Sequence, residues 1–326
     1  MTVPVLVLLD HTEAGALRAP VRELLTLARS LAGDGAVHAA WPLDGVEPSA
    51  SVVDEVASLG ATHVHRVSAD ADLHLSAVLA EALASLLDTT GARLLLLESS
   101  FENKEAAARL AIATGAGVIT DADTLSLVDG RFVAAKTVFA GTWNTTCAIT
   151  APLAIVTVKP NSVPVSTVPA VTPVVSDHAV AASEKARRVT LVERTVRPES
   201  GRPDLGSASV VVAGGRGTEG DFSLVEELAD VIGGAVGATR VATDEGWIGH
   251  DAQIGQTGVT ISPKLYVGVG VSGAVHHRGG MQASGTIVAI NSDPDAPIFE
   301  IADFGVVGDL FTVLPQAVAE LRRLKG

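Results

Sequence analysis

Residues 264–299 read KLYVGVGVSGAVHHRGGMQASGTIVAINSDPDAPIF, and their pattern decides the fold. Leu265–Val271 is an apolar run rich in β-branched residues, the mark of a strand buried on both faces. Ser272-Gly273-Ala274 is a turn of small residues that opens into a short helix. The first backbone N–H groups of that helix have no partner inside it, and such a terminus attracts anions, phosphates above all. Thr286–Ile290 is a second buried run, broken by Asn291-Ser292-Asp293-Pro294. Strand, loop, helix and strand, with ligand groups at the C-terminal ends of the strands, is the arrangement of a nucleotide site on an α/β sheet.

Working outward, the same alternation recurs. At the N-terminal end, apolar runs at Val3–Leu9, Val37–Pro42, Thr62–Val67 and Arg93–Leu97 predict strands. Helical spacing predicts helices over 17–32, 48–59, 72–89 and 103–114 between and after them. β-α-β-α order predicts a parallel sheet with helices on both faces. From Gly117 to Pro160 the pattern changes to strands joined by turns, read as closing, partly antiparallel strands. Pro160, Pro164, Pro169 and Pro173 then resist both helix and central strand, so 160–206 reads as connecting material. Arg187–Arg194 (RRVTLVER) reads as one strand within it. Beyond it, Ser209–Val212 predicts a strand, 221–232 a helix and Asp309–Leu324 a final helix with a break at Pro315. The fold class is therefore α/β with two domains, each a mostly parallel sheet with flanking helices. The limits read as 1–185, a linker at 186–207, and a Rossmann-like nucleotide-binding domain at 208–326.

The chain of 326 residues is long enough for two domains of ordinary size. Apolar residues make up 47% but aromatics only 3%, so the core must be Val, Leu, Ile and Ala. A formal net charge of −14 argues against a general nucleic-acid binder and against an anionic membrane surface. The single cysteine, Cys147, rules out an internal disulfide and disfavours a cysteine metal cluster. The opening MTVPVLVLLDHTEAG lacks a basic n-region, and no apolar run reaches the roughly 20 residues that span a bilayer. A cytoplasmic protein without membrane insertion is the expectation.

Gly214-Gly215-Arg216-Gly217 follows a predicted strand directly. Its glycines let backbone approach a ligand, and Arg216 can grip a phosphate with two N–H groups; a plain surface turn is the alternative. No GxxxxGK[ST] run occurs. Thr239-Arg240 flanks a helix, where an exposed arginine is commonplace. Gly255-Gln256-Thr257-Gly258 sets small residues around two hydrogen-bonding side chains, or is an ordinary turn. His276-His277 invites a metal, but adjacent residues of a helix point apart and no other ligand stands at metal spacing. Asn291 at a strand end could meet diphosphate or ribose; Asp309 could meet ribose or cap its helix. His63 and His65 share a strand face, and with His11, His38 and His74 they read as structural or exposed. No Ser-His-Asp order, paired-carboxylate motif or HExxH supports hydrolysis.

SGAVHHRGGM (272–281) followed by TIVAINSDPDAPIFEIADFG (286–305) resembles the signature of electron transfer flavoprotein α subunits. The resemblance extends through VVVAGGRG (210–217), GATRVATDEGW (237–247), QIGQTG (253–258) and VGDLFTVLP (307–315); before residue 185 it lies in layout more than in motif. What it implies is one FAD per heterodimer, bound by the C-terminal domain and shared with a β subunit that also carries AMP. It further implies transient electron transfer from acyl-CoA dehydrogenases of fatty-acid β-oxidation to a membrane quinone oxidoreductase.

Carried over residue by residue, the resemblance places Arg240 over the flavin ring, with Thr239 beside it. It makes Thr257 a donor at flavin N5, with backbone contacts from Ile254, Gly255 and Gln256. Ser272, Gly273, Ala274 and Val275 would cradle the cofactor with Arg216, Asn291 and Asp309, and His277 would approach the pyrimidine edge. The family usually has Gln-His where this chain has His276-His277. No aromatic in these motifs covers the ring, and Trp247 sits in a turn of undefined direction, so the β subunit is expected to supply the missing wall. Outer-sphere electron transfer needs no general acid or base, which fits a carrier rather than an enzyme. A flavin- or nicotinamide-dependent dehydrogenase and a non-redox nucleotide-binding module are the rivals. The first needs a proton-transfer residue in a substrate pocket; the second would be colourless.

Overall fold

Strands apolar at every position can sit only where both faces are covered, and the chain places them at the centre of its sheets. The computed structural model describes residues 2–139, 141–169, 171–195 and 201–325. It divides into two units, Met1–Lys136 with Thr145–Val196, and Thr137–Asn144 with Arg197–Gly326.

The first unit begins β1 (Val5–Leu8), α1 (Ala19–Ala32), β2 (Val37–Pro42), α2 (Ala50–Ser58), β3 (His63–Ala69), α3 (Ser76–Thr90), β4 (Leu94–Glu98) and α4 (Phe101–Thr114). The chain continues β5 (Gly117–Ala122), β6 (Thr124–Val128), β7 (Arg131–Val138), β8 (Trp143–Ala148), β9 (Ala154–Val158) and β10 (Val174–Val180), the end of β7 and the start of β8 falling in the second unit. Seven of these strands form one sheet in the order β10-β3-β2-β1-β4-β9-β5, paired in parallel throughout. Side chains alternate between its faces. Val5, Val7, Leu94 and Leu96 pack with Leu24, Leu25 and Ala28 of α1. Leu6, Leu8, Leu95 and Leu97 pack with Leu83 and Leu86 of α3 and Leu110 of α4.

The partly antiparallel strands expected after Gly117 are present in a more definite form, and one other expectation changes here. Of the strands after Gly117, β5 and β9 join the parallel sheet, and only β6-β7-β8 form a separate small sheet, with β6 antiparallel to β7. The strand expected at Arg187–Arg194 does not form. A single turn occupies Ala186–Arg188, and the Arg187 side chain folds back to bond the Ala182 and Asp70 carbonyls. The strand in this region is β10, which begins directly after Pro173 and pairs with β3 from His63 to Ala69. An edge position tolerates the prolines that precede it.

The second unit runs β11 (Val210–Gly214), α5 (Ser223–Ile232), β12 (Ala235–Ala238), α6 (Arg240–Asp244), β13 (Leu265–Val269), α7 (Val275–Met281), β14 (Thr286–Asn291), β15 (Phe304–Val307) and α8 (Leu310–Lys325). Its sheet is parallel, in the order β12-β11-β13-β14-β15. On one face Val212, Val267 and Val269 meet Val225 and Leu228 of α5 and Leu314 and Val318 of α8. On the other Val211, Ala213, Tyr266 and Ile287 meet Ile254 and Met281. Pro315 lies inside α8, which continues through it rather than breaking. The strand order reverses between β11 and β13, and in such sheets ligands bind at that reversal, beyond the C-terminal strand ends.

Candidate functional site

The loops that leave β11 and β13 meet at the reversal almost backbone to backbone. A Cβ on Gly215 would lie 2.8 Å from Val271 Cα, and one on Gly217 2.8 Å from Gly270 Cα. Gly270 is at φ +61°, a left-handed conformation that lets β13 turn sharply out of the sheet. Beside this junction opens a cleft of about 310 Å³, within the roughly 300–1,000 Å³ range of small-molecule sites. Its walls come from the β11 loop, the start of α6, the 253–257 loop and the turn into α7.

Eleven of the fifteen residues singled out from the sequence line this cleft: Arg216, Thr239, Arg240, Ile254, Gly255, Thr257, Ser272, Gly273, Ala274, His276 and His277. Arg216 is exposed. The Arg240 side chain is 68% exposed and held by Asp244 one turn along α6, with Nε donating at 3.1 Å. The 253–257 loop is tied to α7 by the Gln256 N–H, which donates to the His276 carbonyl at 3.0 Å. The two segments are pressed together, since a Cβ on Gly280 would lie 2.5 Å from Gly255 Cα.

The adjacent histidines part company. His276 is exposed on the cleft wall, whereas His277 is 5% exposed with Nε2 2.7 Å from the Tyr266 hydroxyl. Burial pushes the His277 imidazole down to about 4, partly opposed by the Ile254 backbone carbonyl, although Nδ1 has no well-directed hydrogen bond. Burial also raises the Tyr266 phenol. His277 is therefore a neutral ring at pH 7, anchored inward.

Four of the fifteen stand apart from the walls. The Gln256 side chain is exposed and Val275 is 62% exposed. Asn291 clamps the loop from behind: its Nδ2 donates to the Val271 carbonyl at 2.9 Å and its Oδ1 accepts from Asp293 N. Asp309 precedes α8, and its Oδ1 accepts the Phe311 N–H at 3.0 Å, a cap. Trp247 packs with the α5–α8 core rather than lining the cleft.

The cleft also holds three residues that the sequence reading passed over, Val241, Gln253 and Val271. Gln253 is the notable one, a buried amide between two threonines; it stands at the head of the quoted QIGQTG run, where Gln256 drew attention instead. In the first unit, His38, His63 and His65 gather on one sheet face, with His38 Nδ1 2.9 Å from His65 Nε2. Burial, followed by neighbouring histidines, pushes His38 and His65 down to about 4. Among the described residues no group of three or more His, Cys, Asp or Glu is arranged to hold a metal ion. No helix among them is long and apolar enough to cross a membrane.

The family model described as the electron transfer flavoprotein FAD-binding domain matches residues 204–282, which include every residue of the cleft wall. That of the electron transfer flavoprotein domain matches residues 5–198, more than half of the chain. A protein of Mycobacterium leprae named electron transfer flavoprotein subunit alpha is 41% identical over 326 residues, covering 98% of this chain and 99% of its own. This chain belongs to the electron transfer flavoprotein α-subunit family. A member of that family from Mycobacterium tuberculosis is 40% identical over 327 residues, covering 99% of both chains. One from Bacillus subtilis is 32% identical over 328 residues, covering 98% of this chain and 97% of its own. An electron transfer flavoprotein carries electrons on a flavin rather than transforming a substrate, in keeping with a cleft that gathers cations, hydroxyls and backbone around a ligand-sized space.

Proposed function

We propose that the cleft of the second unit binds FAD. The chain would then act as the α subunit of a heterodimeric, cytoplasmic electron carrier, with one FAD per heterodimer and AMP in the β subunit. The observation that carries this reading is the coincidence of the FAD-binding-domain match with the whole cleft wall. The residues present fit the group. Arg216 and Ser272 offer cationic and hydroxyl donors to a diphosphate, and Arg240 a fixed positive charge to an electron-rich ring. Gly273 leaves room that a side chain would fill, since a Cβ there would lie 2.6 Å from Ile298 Cα. His277 and Asn291 support the site from behind, by packing and by holding the 271–274 turn, whereas Asp309 caps α8.

Bound flavin supplies reversible uptake of electrons. The chain's own task is to hold it, fix the charge around it and leave it reachable. Donors on this reading are dehydrogenases such as the acyl-CoA dehydrogenases, the acceptor is a membrane quinone oxidoreductase, and no substrate turns over without them. The test is co-expression with the β subunit, followed by flavin and AMP quantitation. A yellow complex reduced by an acyl-CoA dehydrogenase and its substrate supports the reading. A colourless complex that takes up no added FAD refutes it, and turnover without any partner protein favours a dehydrogenase.

A further inference from the structure

Gln253 is a polar residue only 7% exposed, and its main chain is pinned on both sides. Its N–H donates to the His250 carbonyl at 3.1 Å, and its own carbonyl accepts from Val259 N at 2.8 Å. The side-chain amide bridges two hydroxyls. Oε1 lies 3.2 Å from Thr243 Oγ1, and Nε2 donates to Thr257 Oγ1 at 2.9 Å. A hydroxyl has one proton to give and lone pairs to accept. Because Thr257 accepts from Gln253, its proton is not used on Gln253. Thr257 is exposed and lines the cleft, so its O–H is available to a ligand there.

We propose that Gln253 is a positioning residue: it orients the Thr257 hydroxyl as a hydrogen-bond donor to a bare ring nitrogen of the ligand in the cleft. The inference rests on the reading that this ligand is FAD, with N5 the nitrogen that Thr257 meets. Gln suits the task better than Glu. A carboxylate at 253 can only accept, so it would claim the Thr257 proton and turn lone pairs toward the ligand nitrogen. At the other end, Gln253 Oε1 and the Arg240 carbonyl, 3.2 and 2.9 Å from Thr243 Oγ1, share the one proton of that hydroxyl.

The experiment compares FAD with 5-deaza-FAD, in which N5 is replaced by C–H and cannot accept. Dissociation constants are measured by flavin fluorescence on the full chain in complex with its β subunit, for wild type, Gln253→Glu, Thr257→Val and the double variant. In wild type, FAD should bind about fivefold more tightly than 5-deaza-FAD, the factor set by one net hydrogen bond. In Gln253→Glu and Thr257→Val that preference should fall to about one, and the double variant should show no further loss of preference. A merely structural role would weaken both ligands alike and leave their ratio unchanged.

Gln253→Met removes the amide without adding charge. Should Gln253→Glu fail to fold, a preference in Gln253→Met below that of wild type supports the inference, and one equal to wild type overturns it. A wild-type preference that survives in Gln253→Glu overturns the inference, as does one insensitive to Thr257→Val; FAD binding itself would stand in both cases. A wild-type complex that binds neither flavin overturns the FAD reading and this inference with it.

Discussion

His277 should make the second unit acid-labile through one identifiable proton. The ring is 5% exposed and its pKa is pushed from 6.5 down to about 4 by burial. The folded state thus disfavours the proton that the unfolded chain accepts near pH 6.5. The stabilisation is full above that value and is lost as pH falls toward 4. Over a gap of about 2.5 units, at about 1.4 kcal/mol per unit, it amounts to roughly 3 kcal/mol, of which about 2–3 disappears between pH 7 and pH 4.5. His277→Gln keeps a group that can bond the Tyr266 hydroxyl but does not titrate. Tyr266 is the only tyrosine in the chain, so 3-fluorotyrosine labelling gives a single ¹⁹F resonance beside this ring. Urea unfolding followed on that resonance, at pH values from 4.5 to 7.5, reports this site alone. Wild type should lose about 2–3 kcal/mol more than His277→Gln as the pH falls across that range. Parallel stability curves for the two proteins would refute the reasoning.

Three substitutions separate binding from stability. Gly280→Ala places a methyl 2.5 Å from Gly255 Cα and must push α7 off the 253–257 loop. It should cost about 1–3 kcal/mol of stability and at least about tenfold in FAD affinity, by thermal melt and fluorescence titration, and wild-type affinity would show that the cleft does not depend on this contact. Asp309→Ala removes the bond to Phe311 N and should cost about 1 kcal/mol while leaving FAD affinity unchanged; weaker FAD binding would assign the carboxylate to the ligand instead. Arg240→Ala breaks only an exposed pair with Asp244, so the melt should shift by less than about 0.5 kcal/mol equivalent. FAD affinity should nevertheless fall about tenfold, and an unchanged titration would remove Arg240 from the site.

Most of the architecture was legible in the chain because two-sided burial writes itself as continuous apolar runs. Val5–Leu8, Leu94–Glu98 and Leu265–Val269 were recognisable for that reason, and the helices between them by their 3.6-residue spacing. β12 and β15 were not, being four residues each; AVGA lacks bulk, and FGVV is mostly exposed. β10 hid among prolines, since its strand state is set by β3 offering an open edge, a partner 111 positions upstream in the chain.

The site divides the same way. Local chemistry alone named the glycines and the arginine after β11 and the small-residue turn after β13. The QIGQTG run and the Thr239-Arg240 pair gained their assigned roles from family resemblance. Only the tertiary structure decided which side chains share a surface. It set His277 inward against Tyr266 and His276 outward, made Asn291 a clamp and Asp309 a cap, and brought Gln253 between two threonines. The physical reason is that a residue type states what a side chain can donate or accept. Its direction is settled by the packing of segments far apart in sequence, and in a dense interior that packing leaves each buried polar group few partners to choose from.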